Sequence, residues 1–182
     1  MMHERCDMMK MKDIDLKILS GLMKNSKISD RKLSTIIGVS QPTVTRRRAK
    51  LEKELSFEYT VIPDFAKLGM KIMAFHFMHW KSESYEELSQ LRNFQERIDK
   101  WISEQSNMIF ASSGEGLGMG RLAITIHKDY SDYVKFKEKI EKDWSSHLAR
   151  YETFIVSLES DRIKRPLTLK YLADHIKNIH SP

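Results

Sequence analysis

Ser40, Gln41, Thr43, Thr45, Arg46, Arg47 and Lys50 stand close together in the chain, and their side chains suit contact with nucleic acid. Glutamine can pair bidentately with adenine, and a threonine methyl can pack on the methyl of thymine. Arg46 and Arg47 can each read guanine or clamp a phosphate. Lys50 and Lys53, further along, suit phosphates. Helical spacing turns Arg48 away from the others, so it ranks below them. The spacing leaves open which arginines read bases and which clamp phosphates. A charge run alone reads as a solvated helix face. What shifts the reading towards duplex DNA is the turn-helix signal that precedes the run.

That signal is Leu33 to Leu51. Leu33, Ile36 and Ile37 read as the inward end of one helix. Gly38 stands where the chain must turn with positive φ, at no Cβ penalty. Ser40 is placed to cap a second helix, and Pro42 lies in its first turn, where a missing N–H costs little. Val44, Ala49 and Leu51 are expected to pack that helix inward. Upstream, Asp13 is a candidate N-cap. Ile14, Ile18, Leu19 and Leu22, with Leu16 flanking, form a helical apolar stripe. Asn25-Ser26-Lys27 breaks it, and Ser29 can cap the next helix. The pattern is a helix-turn-helix whose last helix enters the major groove. Phe57 to Pro63 alternates like a short strand, which would make the motif winged, and Pro63 to Gly69 reads as a hinge.

The second half has a different rhythm. Lys71–Trp80, Met108–Ser112, Arg121–His127 and Tyr151–Leu158 read as strands. On the third strand Leu122, Ile124 and Ile126 share a side, and on the fourth Phe154, Val156 and Leu158 are expected to face inward. Glu83–Ser103 reads as a helix with Leu88, Leu91, Phe94, Ile98, Trp101 and Ile102 on one face. Tyr130 to about Leu148 is a second helix, with Tyr133, Phe136, Ile140 and Trp144 inward. Gly114 to Gly120 reads as a loop. The order β-α-β-β-α-β is ferredoxin-like, a plan that hosts many functions. From Pro166 a last helix is expected, with Leu169, Leu172, Ile176 and Ile179 as its apolar stripe. It would pack on its own domain or on a partner subunit. The fold class is therefore α+β: an N-terminal winged helix-turn-helix, a C-terminal ferredoxin-like βαββαβ domain and an extra C-terminal helix. The expected boundaries are a flexible 1–12, a DNA-binding domain 13–63, a hinge 64–70, a sheet domain 71–160 and a tail 161–182.

Composition narrows the function. The 182 residues are 41% hydrophobic and 31% charged, with net charge +6, so the chain can bury a core and favours a polyanion. The single cysteine, Cys6, excludes an internal disulfide framework. The N-terminal residues lack an apolar signal core, and Ile72–Trp80, broken by His76 and His79, is far short of a membrane span of ~20 residues. A cytoplasmic protein without membrane contact is expected. Gly114-Glu115-Gly116 does not lead from a strand into a helix, so it is no dinucleotide loop. His76 and His79 fall on opposite faces of a strand and make a poor metal pair. His127, His147, His175 and His180 are scattered. No catalytic site, metal site or cofactor is expected.

The chain resembles the Lrp/AsnC family of feast/famine transcription regulators. The residues that carry this are Asp13 to Leu19, Leu33 to Leu51 with its core Val39 to Arg47, Tyr59 to Gly69, and Gly114 to His127 followed by Asp129 to Tyr133. Together they cover roughly residues 13–160. The resemblance implies a homodimer or higher homo-oligomer joined through the sheet domain and bound to double-stranded DNA. It implies a small effector, such as an amino acid, between subunits near the loop joining strands two and three. Carried over, that site is Gly114, Glu115, Gly116, Gly118 and Arg121: glycine N–H groups approach an anion closely, and Arg121 pairs with a carboxylate. Gly120 stands where family members often have an acid. Leu55 stands where a glycine usually turns into the wing, which implies a longer helix or a reshaped wing. Two alternatives stay open. One is a siroheme-type tetrapyrrole decarboxylase on the same plan, using His76, His79 and His127. The other is a ligand-independent architectural DNA-binding regulator.

Overall fold

The structure, a computed structural model, describes residues 11–81 and 92–179. The expected flexible start with Cys6, the first part of the helix expected from Glu83 with Leu88 and Leu91, and His180 lie outside them. The chain divides into two compact units. One runs to Ile62 and takes up the chain again from Arg165; the other is Pro63–Lys164.

The first unit is built on α1 (Asp13–Lys24), α2 (Asp30–Ile37) and α3 (Gln41–Glu54). Ile18, Leu22, Ile28, Leu33, Val44 and Leu51 form its core, with Phe57 packed against them. The N-cap of α1 is Lys12, not Asp13; Asp15, one turn in, accepts from the Lys12 backbone N–H at 3.1 Å. Ser29 caps α2, accepting from Lys32 N–H at 3.2 Å. Gly38 ends α2 at φ 81°, ψ 37°. Gly21 lets α1 approach α2, because a Cβ there would meet Leu33 Cδ1 at 2.5 Å. Ile36 is 66% exposed, contrary to expectation. Leu33 and Ile37, one turn apart, hold the inward stripe, and Ile36 sits off it.

The expected wing does not form. Residues 57–64 carry no strand pairing. A strand needs a neighbour's edge to satisfy its backbone groups, and the four-stranded sheet of the described residues is built wholly from Pro63–Lys164. Leu55 closes α3, and Ser56 makes the turn at φ 47°, so the chain turns without the family's glycine.

The tail contributes α6 (Leu172–Lys177), which packs on α1 of its own chain. Ala173 is fully buried, and Asp174 pairs with Lys24. The helix starts six residues later than expected. Arg165 is biased away from helical ψ by the following proline. Thr168 Oγ1 accepts from Lys170 N–H at 3.2 Å, a local turn that competes with a helix. The expected stripe is also displaced: Leu169, Leu172 and Ile179 are exposed, while Ala173 and, in part, Ile176 turn inward.

The second unit has the ferredoxin-like order. After a single 3-10 turn at Ala66–Leu68 come β1 (Ile72–Trp80), α4 (Arg92–Ser103), β2 (Met108–Gly116), β3 (Met119–His127), α5 (Tyr130–Trp144) and β4 (Leu148–Ser157). The antiparallel sheet runs β2-β3-β1-β4. Trp80, Phe94, Ile98, Phe136, Ile140 and Trp144 form the core between the sheet and the two helices. Strand alternation then sends Phe75, Phe77, Leu122, Ile124 and Phe154 to the opposite face. The side expected to be inward on β4 is therefore not the one its own helices cover, and Phe154 is 63% exposed. The expected glycine loop shrinks to Leu117-Gly118, both at positive φ (56° and 67°), a two-residue hairpin turn. Gly114, Glu115 and Gly116 belong to β2.

Candidate nucleic-acid interface

Helix α3 separates its cations by depth. Val44 and Leu51 are buried and fix the inward side. Gln41, Thr45, Arg46, Ala49, Lys50 and Lys53 are exposed. Arg46, Ala49, Lys50 and Lys53, spaced by three and four, form one outward stripe. Ser40 holds the N-cap position, but its hydroxyl pairs with the Thr43 hydroxyl at 2.8 Å rather than with a backbone N–H. Thr45 is exposed and donates its hydroxyl to Asp30 Oδ2 at 2.8 Å.

The other two arginines are spent inside the unit. Arg47 Nη1 lies 2.8 Å from Asp15 Oδ1, with both side chains largely buried. Arg47, expected to meet DNA, is turned towards α1, where the Asp15 carboxylate holds it. Arg48 donates to Glu52 Oε1 at 2.8 Å, Asp30 Oδ1 at 3.1 Å, the Ile28 carbonyl at 3.3 Å and Tyr59 Oη at 3.2 Å. The Glu52 hydrogen bond is the main reason the Arg48 guanidinium stays protonated even more firmly than usual. The Tyr59 hydroxyl and Arg48 in turn hold the Glu52 carboxyl below the usual range.

Ala49 was missed by the sequence reading, which gave it to the core. Its place in the outward stripe was legible from the +3 spacing to Arg46. Arg31 and Lys32, exposed on the first turn of α2, were also passed over. Residues 12–58 carry eleven Lys and Arg against six Asp and Glu, a net of +5 within the chain's net +6. Three of the six acids, Asp15, Asp30 and Glu52, are turned to Arg47 and Arg48. The outward stripe is left basic.

In the second unit Arg121 does not join the hairpin turn. Its guanidinium lies 5.7 Å from the centroid of the Trp80 ring and donates to Gln95 Oε1 at 3.5 Å, on the helix-covered face. Leu117, at the turn, is 79% exposed. His76 and His127 are fully buried and joined through Thr125: His76 Nε2 lies 2.7 Å and His127 Nε2 2.6 Å from its Oγ1. His76 Nδ1 lies 2.8 Å from Tyr151 Oη. These histidines are partners of a closed polar network rather than of a substrate pocket. Among the described residues, no cluster of three His, Cys, Asp or Glu is arranged to hold a metal, and no helix is long and apolar enough to cross a membrane.

Comparison with known proteins agrees with this layout. Residues 11–52 match the AsnC-type helix-turn-helix domain. An uncharacterized HTH-type transcriptional regulator of Pyrococcus abyssi is 26% identical over 155 residues, covering 85% of this chain and 95% of the relative. The HTH-type transcriptional regulator LrpC of Bacillus subtilis is 37% identical over 79 residues, 43% of this chain and 55% of LrpC. The solved structure of LrpC superposes with a TM-score of 0.64 at 24% identity, over 86% of this chain and 100% of LrpC. An AsnC family transcriptional regulator from Agrobacterium tumefaciens gives 0.69 at 19% identity, over 89% and 99%. A transcriptional regulator of Neisseria meningitidis, solved in complex with L-Met, gives 0.70 at 16% identity, over 89% and 99%. Residues 11–52 thus form an AsnC-type helix-turn-helix domain, and over most of its length the chain is similar to HTH-type transcriptional regulators and shares the fold of the LrpC and AsnC family structures.

Proposed function

We propose that the protein binds an operator in duplex DNA as a homodimer or higher homo-oligomer, presenting one α3 to each half-site. The observation that carries this reading is the outward stripe of α3, kept basic because Asp15, Asp30 and Glu52 are engaged by Arg47 and Arg48. Arg46 takes the base-reading role, with Gln41 and Thr45 at the N-terminal end. The Ala49 methyl adds an apolar contact of the kind that suits thymine. Lys50 and Lys53 take phosphates. Two-fold symmetry makes the operator near-palindromic, with half-sites about 34 Å apart or a multiple of it. Support for self-association comes from the sheet face that α4 and α5 leave uncovered, where Phe110 and Phe154 are 49% and 63% exposed. The protein is not an enzyme on this reading, since His76 and His127 are enclosed and already paired. Its place of action is the cytoplasm, with the DNA.

An amino-acid effector is a further part of the reading, supported by the L-Met complex of the Neisseria regulator. Its site is the hairpin around Gly114, Glu115, Gly116 and Gly118 at an intersubunit contact. Arg121 is left out, because its guanidinium is turned to Gln95.

The test is fluorescence anisotropy with the duplex upstream of the protein's own gene and a random duplex, each at two salt concentrations. Tight, salt-dependent preference for the upstream duplex is expected, with a log–log slope of about 0.9 per phosphate contact. Equal, weak binding to both duplexes would remove that duplex as operator and weaken the reading.

A further inference from the structure

Between the sheet and helices α4 and α5 the second unit holds a partly open cavity of about 230 Å³. The three tryptophans of the chain, Trp80, Trp101 and Trp144, all line it, together with apolar Met78, Ile98 and Ile102. An apolar cavity of about 150 Å³ suffices for a benzene-sized guest, so this one has room for a ring and a short chain. It lies below the roughly 300–1,000 Å³ of larger ligand clefts.

One edge of the cavity is polar. Arg121 reaches it from β3, beside Ser113, its cross-strand neighbour on β2. Gln95 accepts from Arg121 and donates to Asp99 Oδ1 at 2.8 Å, so the guanidinium is oriented by a neutral amide. Arg121 is half-buried and lies beside the Trp80 ring, where the reduced solvation strengthens its pairing with an anion. Asp99 is exposed, and an ammonium group placed against it would gain little from an ion pair in water.

We infer that this cavity binds an apolar monocarboxylate, with its carboxylate on Arg121 and its hydrocarbon body among the tryptophans. The site lies within one chain and uses none of the hairpin glycines. It is separate from the effector site proposed above, and its occupancy is independent of DNA.

The test uses the full chain without DNA and reads tryptophan emission, which comes wholly from the cavity walls, alongside titration calorimetry. The probes are 3-phenylpropionate, its uncharged analogue 3-phenyl-1-propanol, and L-phenylalanine. The inference expects a saturable emission change with 3-phenylpropionate, at least tenfold weaker binding of the alcohol, and no tighter binding of L-phenylalanine. Arg121→Gln should weaken the carboxylate at least tenfold and leave the alcohol unchanged. Ala111→Leu, which fills the cavity, should abolish binding of both; should that variant fail to fold, Arg121→Gln still decides. No saturable change with 3-phenylpropionate, equal affinity for acid and alcohol, or an unaffected Arg121→Gln variant would each overturn the inference. Tenfold tighter binding of L-phenylalanine would overturn the monocarboxylate in favour of a zwitterion.

Discussion

Arg47 on α3 donates to Asp15 on α1 at 2.8 Å, and the contact makes a basic residue of the helix proposed to read DNA part of the internal frame. Its neighbour Arg46 is exposed. The two arginines should therefore fail in different ways. Arg46→Ala should weaken operator binding by ~1–3 kcal/mol, relax base preference at one position and leave thermal stability unchanged. Arg47→Ala leaves the Asp15 carboxylate desolvated without its cation. It should cost on the order of 2 kcal/mol in stability. Anisotropy and thermal melts on both variants separate the roles. An Arg47→Ala protein that melts like the parent but loses specificity would restore Arg47 to the interface.

The segment after α3 is held by side chains rather than by a ladder. Tyr59 Oη donates to Glu52 and accepts from Arg48, so the chain leaving the helix is tied to it at one point. Tyr59→Phe removes both bonds while Phe57 stays packed in the core. The expected cost is about 0.5–1.5 kcal/mol for the first unit, read as a lower melting temperature. Faster proteolysis within residues 57–64 should accompany it. Unchanged melting and cleavage would show that the tie contributes nothing.

The helix-turn-helix was legible because its signals are local. Gly38, Ser29, Pro42 and the spacing of Leu33, Val44 and Leu51 act within one or two turns of chain, and each stands where the sequence placed it. The succession of strands and helices in the second unit was legible through alternation and length. What was not legible depended on partners distant in sequence. Arg47 looks outward until α1 supplies Asp15, 32 residues upstream. Phe57 to Pro63 alternates like a strand, but strand pairing needs an edge, and the described residues of its unit supply none. On β4, alternation showed that Phe154 and Val156 share a face, yet could not say which face the helices cover. The tail was misjudged for the same reason: Ala173 carries little hydrophobic signal, and its burial depends on α1.

That tail should stabilise the DNA-binding unit. Ala173 is fully buried against α1, and Asp174 pairs with Lys24 at the end of that helix. Ala173→Asp should destabilise by a few kcal/mol, because a carboxylate would be buried without a partner. Lys24→Ala, which removes only an exposed pair, should cost under ~1 kcal/mol. Melts of both variants, with the operator affinity of each at low temperature, provide the check. If Ala173→Asp melts like the parent, the helix does not hold this position in solution.

Acid should destabilise the second unit through His76. Burial, with a smaller contribution from the neighbouring His127, lowers its pKa from the ordinary 6.5 to about 4. Burial also lowers His127, although Asp132 opposes this. In the folded protein the His76 ring stays neutral between pH 6.5 and about 4, while in the unfolded chain it takes up a proton. The unfolded state therefore binds more protons in that window, and stability rises with pH there. For His76 the contribution is complete above pH 6.5 and falls by up to ~3 kcal/mol as pH drops towards 4. Neutrality also suits the hydrogen bonding. Thr125 has one hydroxyl proton for two ring nitrogens, so at most one histidine accepts from it and at least one donates to it. Urea unfolding of the full chain at pH 7.5, 6 and 5 should show the loss. His76→Leu should flatten the slope by removing the group whose proton uptake differs between the two states. A slope unchanged by that substitution would assign the acid sensitivity to other groups, the second-unit carboxylates first among them.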